Sequence, residues 1–284
     1  MHKILCIVGP TATGKTKLAL KLSVRQPSIL ISADSRQVYR GLDIVTGKDH
    51  PPGIMLYGID LVDPHQPCSV SVWYDAVIPH IKKAWKEGKQ VIVVGGTGLY
   101  VKAIAGGITT LQVPINQAFR VRLQPLSIAE LQTKLHDLDP LKLTSMNHSD
   151  QHNPRRLIRA IEIAHTPPQS LAIRHQPFVK LIGLKYFNNS KYRSIIHQRV
   201  LARLDQGALT ETKKLMTSAS PQSLSAIGYR SIVSFIEGKC SEAKMVEHWV
   251  SDELSYAKRQ LTWFNKQKVT WYDTDKEDYD YTKD

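Results

Sequence analysis

Eight residues near the start of the chain, Gly9-Pro10-Thr11-Ala12-Thr13-Gly14-Lys15-Thr16, have the glycine, lysine and hydroxyl spacing of a phosphate-binding loop. In such a loop, backbone N–H groups and a helix N-terminus converge on phosphate oxygens. Lys15 adds a point charge for the terminal phosphates, and the Thr16 hydroxyl offers a ligand for Mg²⁺. Eighteen residues past Thr16 stands Asp34, at the head of Asp34-Ser35-Arg36-Gln37. Asp34 either faces the same ligand crevice or caps a following helix. A second glycine cluster, Gly95-Gly96-Thr97-Gly98, stands where a phosphate-loop ATPase tends to carry a Mg²⁺-holding Asp. Its glycines let a ligand lie against backbone, and Thr97 supplies a neutral hydroxyl. That weakens a simple ATPase reading. The loop alone leaves open whether its ligand is a nucleotide or another diphosphate.

These groups need a scaffold, and the flanking residues supply one. Ile4-Leu5-Cys6-Ile7-Val8, Ser28-Ile29-Leu30-Ile31-Ser32-Ala33 and Gln90-Val91-Ile92-Val93-Val94 are short apolar runs suited to buried parallel strands. Each ends at one of the groups above, as ligand sites of open parallel sheets do. Lys17 to Leu22 has apolar residues at helical spacing, and Val72 to Trp85 reads as an amphipathic helix that Pro79 should perturb. Residues 41–70 read as loops around short strands. From about Leu111 the strand pattern stops, and Gln117–Gln124, Ile128–Leu138 and Pro154–Ala164 read as helices; a strand returns at Phe178–Leu184. Beyond 190 the pattern is helical, including Glu242–Lys266, whose Met245, Trp249 and Phe264 read as core. The expected fold is α/β: a parallel sheet flanked by helices, like the phosphate-loop NTPases, formed by residues 1–111 and 178–284, with a helical insertion at 112–177.

Composition narrows the partners. A formal charge of +13 favours a polyanion. From Arg155 to Lys214 there are twelve Lys/Arg against Glu162, Asp205 and Glu211, a net +9 in sixty residues, so the excess is local. The last dozen residues are acidic and read as a frayed tail. Three widely spaced cysteines, Cys6, Cys68 and Cys240, suggest neither a disulfide framework nor a zinc site. With no apolar run long enough for a membrane span or leader, a cytoplasmic protein is expected.

Seven motifs in order carry a resemblance. They are Gly9–Thr16; Asp34-Ser35-Arg36-Gln37-Val38-Tyr39 with Gly41-Leu42-Asp43-Ile44; Asp63-Pro64; Gly95-Gly96-Thr97-Gly98-Leu99-Tyr100; Pro154-Arg155-Arg156-Leu157-Ile158-Arg159-Ala160-Ile161-Glu162; Ile227-Gly228-Tyr229-Arg230; and Ala257-Lys258-Arg259-Gln260-Leu261-Thr262-Trp263-Phe264. With them the sequence resembles the tRNA dimethylallyltransferase (tRNA isopentenyltransferase) family. The resemblance implies transfer of a dimethylallyl group from dimethylallyl diphosphate to the exocyclic amine of the adenosine next to the anticodon, with Mg²⁺. The loop would then grip an allylic diphosphate, the basic stretch would take the tRNA backbone, and the target base would turn out into the crevice.

By position, the resemblance makes Asp34 the general base and Thr16 the Mg²⁺ ligand. Gly9, Pro10, Thr11, Ala12, Thr13, Gly14, Lys15 and Thr16, with Arg203 and Arg230, would hold the diphosphate. Thr97 would act beside the reacting base. Asp34, Ser35, Arg36, Gln37, Arg120, Arg155, Arg156, Leu157, Ile158, Arg159, Ser225, Ala226, Ile227, Gly228, Tyr229 and Arg230 would contact tRNA. The chain is expected to act as a monomer. It departs from the family pattern at Asp43-Ile44-Val45-Thr46-Gly47-Lys48-Asp49, at His148–Pro154 and in a shorter insertion. Two rivals are a small-molecule kinase or prenyltransferase acting on free adenine nucleotides, and a nucleic-acid-binding NTPase. The +9 segment and the insertion speak against the first, and the absent strand-end Asp against the second.

Overall fold

The computed structural model describes residues 3–48, 50–51, 53–166 and 177–276. They cluster into two units: the chain to Gly107 together with Gln176 onward, and Ile108–His175.

The first unit begins with β1 (Lys3–Val8), α1 (Lys15–Ser23), β2 (Ser28–Ser32), β3 (Leu56–Tyr57), α2 (Val70–Lys86), β4 (Gln90–Gly95) and α3 (Gly98–Ile104). Helix α2 runs through Pro79. The residue that the proline deprives of a donor, Asp75, is exposed, where water can serve its carbonyl. Ser69 opens α2 by accepting a hydrogen bond from the Val72 N–H at 3.3 Å.

The second unit holds α4 (Gln117–Leu123), α5 (Ile128–Leu138), α6 (Pro140–Ser145), α7 (His148–Gln151) and α8 (Pro154–Ala164). Ser127 and Glu130 form a capping box at the start of α5, and Asn153 with Pro154 opens α8. Leu123, Leu131, Leu135, Leu157, Ile158, Ala160 and Ile161 make its apolar core. Leu157 is fully buried and Ile158 8% exposed. Both are therefore core residues, and the expectation that they touch tRNA is corrected.

The chain then completes the first unit with β5 (Phe178–Lys185), α9 (Asn189–Asp205), α10 (Ala208–Leu215), α11 (Pro221–Leu224), α12 (Tyr229–Ile236), α13 (Glu242–Phe264) and β6 (Thr270–Asp273). The six strands lie in the order β3-β2-β4-β1-β5-β6, and each neighbouring pair is parallel. β1 sits between β4 and β5, with Ile7 opposite Val94 and Ile182. Burial on both sides explains why these central strands read as unbroken apolar runs. Ile7, Leu18, Leu30, Ile92, Val94, Ile182 and Leu184 share one core cluster.

Strand β6 corrects the reading of the C-terminal part as helix and then frayed tail. It pairs Trp271 with Gly183 and Asp273 with Lys185. Residues 277–284 of the acidic tail, and Asp49, lie outside the described residues. No helix among the described residues is long and apolar enough to cross a membrane.

Candidate active site

The phosphate loop joins the end of β1 to the start of α1. Gly9 takes φ +136°, and a Cβ there would collide with the Leu184 carbonyl oxygen, so glycine alone lets the loop pass so close to β5. Ala12 also has a positive φ, 58°, a conformation uncommon for a residue with a Cβ. The Thr13 hydroxyl donates to the Pro10 carbonyl at 2.9 Å, and the Lys15 ammonium donates to the same oxygen. Gly14 caps α1, whose first residues are Lys15 and Thr16.

A cavity of about 810 Å³ opens in front of this loop. Thr11 to Thr16 line one wall, and Asp34, Arg36 and Gln37, just past β2, line another. Gly95 and Gly96 lie at its floor line from β4, with Val45–Gly47, Arg199, Arg203 and Ser225–Ile227 around it. The loop and Asp34, far apart in sequence, thus share one crevice at the carboxyl ends of parallel strands.

Asp34 is tethered locally. Its Oδ1 accepts the Arg36 N–H at 2.8 Å, which leaves Oδ2 for another donor. Beside it, the Thr97 hydroxyl accepts the Ser35 N–H at 3.0 Å. Gln37 donates through Nε2 to the Gly47 carbonyl at 3.3 Å, and Arg36 donates to the Gln222 carbonyl at 2.9 Å.

Arg203 and Glu253 form a buried pair at 2.8 Å on the cavity wall. Gly47 takes φ +62°, and a Cβ there would displace the guanidinium ends of Arg199 and Arg203. The loop carrying Gly47 is held by Glu211, whose carboxylate accepts the N–H groups of Asp43 at 2.9 Å, Ile44 at 2.6 Å and Val45 at 3.0 Å. Glu211 also accepts the Tyr229 hydroxyl at 2.7 Å.

The sequence reading missed the polar stripe of α13. Glu253, Tyr256 and Gln260 recur at helical spacing and all reach the cavity. That spacing was visible, but the aromatic core residues on the same helix drew the reading. Burial, with the charge of Asp34, pushes the Tyr256 hydroxyl up to about 12, against a hydrogen bond with Thr97. Tyr256 is therefore a neutral donor beside Asp34 at neutral pH.

Several expected site residues lie elsewhere. Tyr229, Ser231 and Ile232 form the buried face of α12, so Arg230 is exposed and off the cavity wall. Tyr229 is buried on Glu211, and Gly228 packs against Trp249 and Val45. They shape the wall rather than offer a surface to tRNA, as does the buried Ala226; Ser225 and Ile227 line the cavity.

In the helical unit, Glu162 takes a two-pronged hydrogen bond from Arg120, at 3.0 and 2.7 Å, and another from Arg159. Arg159 also donates to the carbonyls of Thr110 at 3.1 Å and Val113 at 2.9 Å. Burial would raise the Glu162 carboxyl, but Arg120, Arg159 and the Asn116 N–H outweigh it and hold it below its ordinary value. Arg120 and Arg159 thus meet on Glu162, each with about a quarter of its side chain still exposed. Arg156 pairs with Asp150, and Arg155 is exposed.

Comparison with known proteins matches this arrangement. An IPP transferase family model covers residues 37–267, and an isopentenyl transferase model covers 2–55. The tRNA dimethylallyltransferase of Anoxybacillus flavithermus is 35% identical over 285 residues, covering 96% of this chain and 90% of that protein. The full-length tRNA isopentenylpyrophosphate transferase of Bacillus halodurans superposes with a TM-score of 0.70 at 33% identity, over 96% of this chain and 90% of that one. A eukaryotic dimethylallyltransferase acting on tRNA shares the fold, with a TM-score of 0.80 at 22% identity over 96% of this chain and 74% of that one.

Proposed function

The chain belongs to the IPP transferase family and transfers a dimethylallyl group to tRNA, and from that premise we propose the following donor, acceptor and division of labour. The donor is dimethylallyl diphosphate. The acceptor is the exocyclic 6-amino group of the adenosine next to the anticodon, position 37. The observation that carries this reading is the placing of Asp34 and the phosphate loop on one cavity.

The amine lone pair forms the new C–N bond as the allylic C–O bond breaks, and that electron pair leaves on the diphosphate. The amine proton passes to a carboxylate oxygen of Asp34. Its other oxygen is engaged by Arg36, so the carboxylate is held in place for the transfer. Lys15, the loop amides and Arg203 meet the charge that grows on the leaving group. Thr97 and the neutral Tyr256 hydroxyl fix the polar surroundings of Asp34.

The donor set also fits Mg²⁺. Among the described residues no cluster of three acidic, His or Cys side chains could hold an ion alone. The Thr16 hydroxyl on the cavity wall would supply one oxygen ligand, suited to a cation whose other ligands are water and substrate phosphates. When bound, Mg²⁺ neutralises charge on the diphosphate.

The basic excess serves tRNA, met in the cytoplasm, and one chain carries every group named, so a monomer suffices. Incubation with labelled dimethylallyl diphosphate, Mg²⁺ and unmodified tRNA, with AMP in a parallel tube, tests the proposal. Label in tRNA is expected. Label in AMP alone would assign a free-nucleotide prenyltransferase, and ATP turnover without any label a nucleic-acid NTPase.

A further inference from the structure

We propose that Tyr192 and Thr274 are positioning residues that aim the backbone donors of the phosphate loop by gripping its carbonyls from behind. The inference rests on the reading of the cavity as a diphosphate site. Nothing in the motif itself requires either residue.

The argument starts from the peptide plane. In a trans peptide the carbonyl of one residue and the N–H of the next point in opposite directions. A carbonyl held back from the cavity therefore sends the following N–H toward it. Three carbonyls of this loop ahead of Gly14 are held. That of Pro10 accepts from Thr13 and Lys15, within the loop itself. That of Thr11 accepts the Tyr192 hydroxyl at 3.1 Å. That of Thr13 accepts the Thr274 hydroxyl at 3.4 Å. The N–H groups directed by the two outside contacts are those of Ala12 and Gly14, both on the cavity wall.

Ala12, flanked by the two gripped carbonyls, is the residue that most needs support. Its φ of 58° is one that a residue with a Cβ adopts at a cost in conformational energy. Such a conformation persists where the surroundings over-determine it, and here contacts on both sides do so.

Both anchors are themselves well fixed. Tyr192 lies in the first turn of α9, buried, with its ring stacked on Tyr186 at 5.5 Å. Burial raises its hydroxyl well above the ordinary value, so it stays protonated and remains a donor. Thr274 directly follows β6 and donates its own N–H to the Lys185 carbonyl at 2.9 Å. The next residue, Asp275, pairs with Lys191 at 2.5 Å, one position before Tyr192. The edge strand and the start of α9 thus form a single back wall to the loop.

Tyr192→Phe keeps the ring and removes the grip; Thr274→Val does the same for the weaker, longer contact. Inorganic diphosphate is titrated calorimetrically into the full-length parent and both variants, and KM is measured for each substrate. Tyr192→Phe is expected to raise the Kd for diphosphate and the KM for dimethylallyl diphosphate about three- to tenfold. Its KM for tRNA should stay within about twofold. Thr274→Val should shift in the same direction by less. The shift of the Ala12 amide resonance on adding diphosphate should shrink in Tyr192→Phe.

A lower Tm with parent-like diphosphate affinity would make these hydroxyls fold contacts only and overturn the inference. If Tyr192→Phe does not fold, Thr274→Val decides: raised Kd supports the inference, unchanged Kd overturns it. A parent that binds no diphosphate would overturn both the cavity assignment and the inference, whereas a parent that binds it beside unaffected variants overturns the inference alone.

Discussion

At the scale of single residues, the chemistry turns on whether Asp34 does more than hold its own turn. Its hydrogen bond to the Arg36 N–H is the local tether that Asp makes at many turns. Its place on the cavity that the phosphate loop also lines is what a base needs. Asp34→Ala should lower turnover by about two orders of magnitude or more while tRNA affinity changes far less. Single-turnover rates and a tRNA binding curve on the same preparation check this; near-parental turnover would leave Asp34 as a turn residue. Asp34 and the loop were legible because each closely follows an apolar strand. Glu162, Glu211 and Glu253 were not. Each is an acidic residue in a helix with nothing local to mark it, and its meaning comes from partners 42, 167 and 50 positions away for Arg120, Ile44 and Arg203. No local pattern announces such a pairing.

At the scale of elements, the central strands and the amphipathic helices could be read because two-sided burial and helical spacing leave a pattern in the residues themselves. Helices α5 and α8 run over the expected residues, Ile128–Leu138 and Pro154–Ala164. Strand β6 could not be read in this way. It has four residues, stands at a sheet edge and mixes polar with aromatic side chains, so it exists through its pairing with β5. In the helical unit, Glu162 ties α8 to α4 through Arg120, and pairs with Arg159 one turn earlier on α8 itself. Its carboxyl is held below its ordinary value, so its contribution is present above the unfolded-state pKa, near 4.3. That contribution falls away as pH drops through the folded value. Denaturation followed with a probe in this unit should show the parent losing stability as pH falls below about 4.3, with Glu162→Gln showing a flatter profile. At neutral pH the same variant, leaving two arginines short of a charge, should be less stable by about 3 kcal/mol. Equal pH profiles would mean that the cluster does not titrate with unfolding.

At the scale of the whole molecule, a charge of +13 argues for binding that weakens with salt. The arginines of α8 divide this task unequally, because Arg159 is tied to Glu162 and two carbonyls while Arg155 is exposed. Arg155→Ala should therefore lessen the slope of tRNA affinity against salt by about one unit and leave diphosphate affinity unchanged. Arg159→Ala should act first on stability. Filter binding across a salt series gives the slope; a parental slope for Arg155→Ala would place the docking surface elsewhere. The back wall of the phosphate loop has a further consequence, for a chain still being made. Thr11 finds its partner 181 residues later and Thr13 finds its own 261 residues later. A ribosome delivers the front of the cradle first and the Thr274 support 261 residues later, after an interval on the order of tens of seconds. Until Tyr192 and Thr274 have emerged, the nascent chain carries the recognisable motif without these two supports, and its grip on diphosphate should be weaker than that of the folded protein.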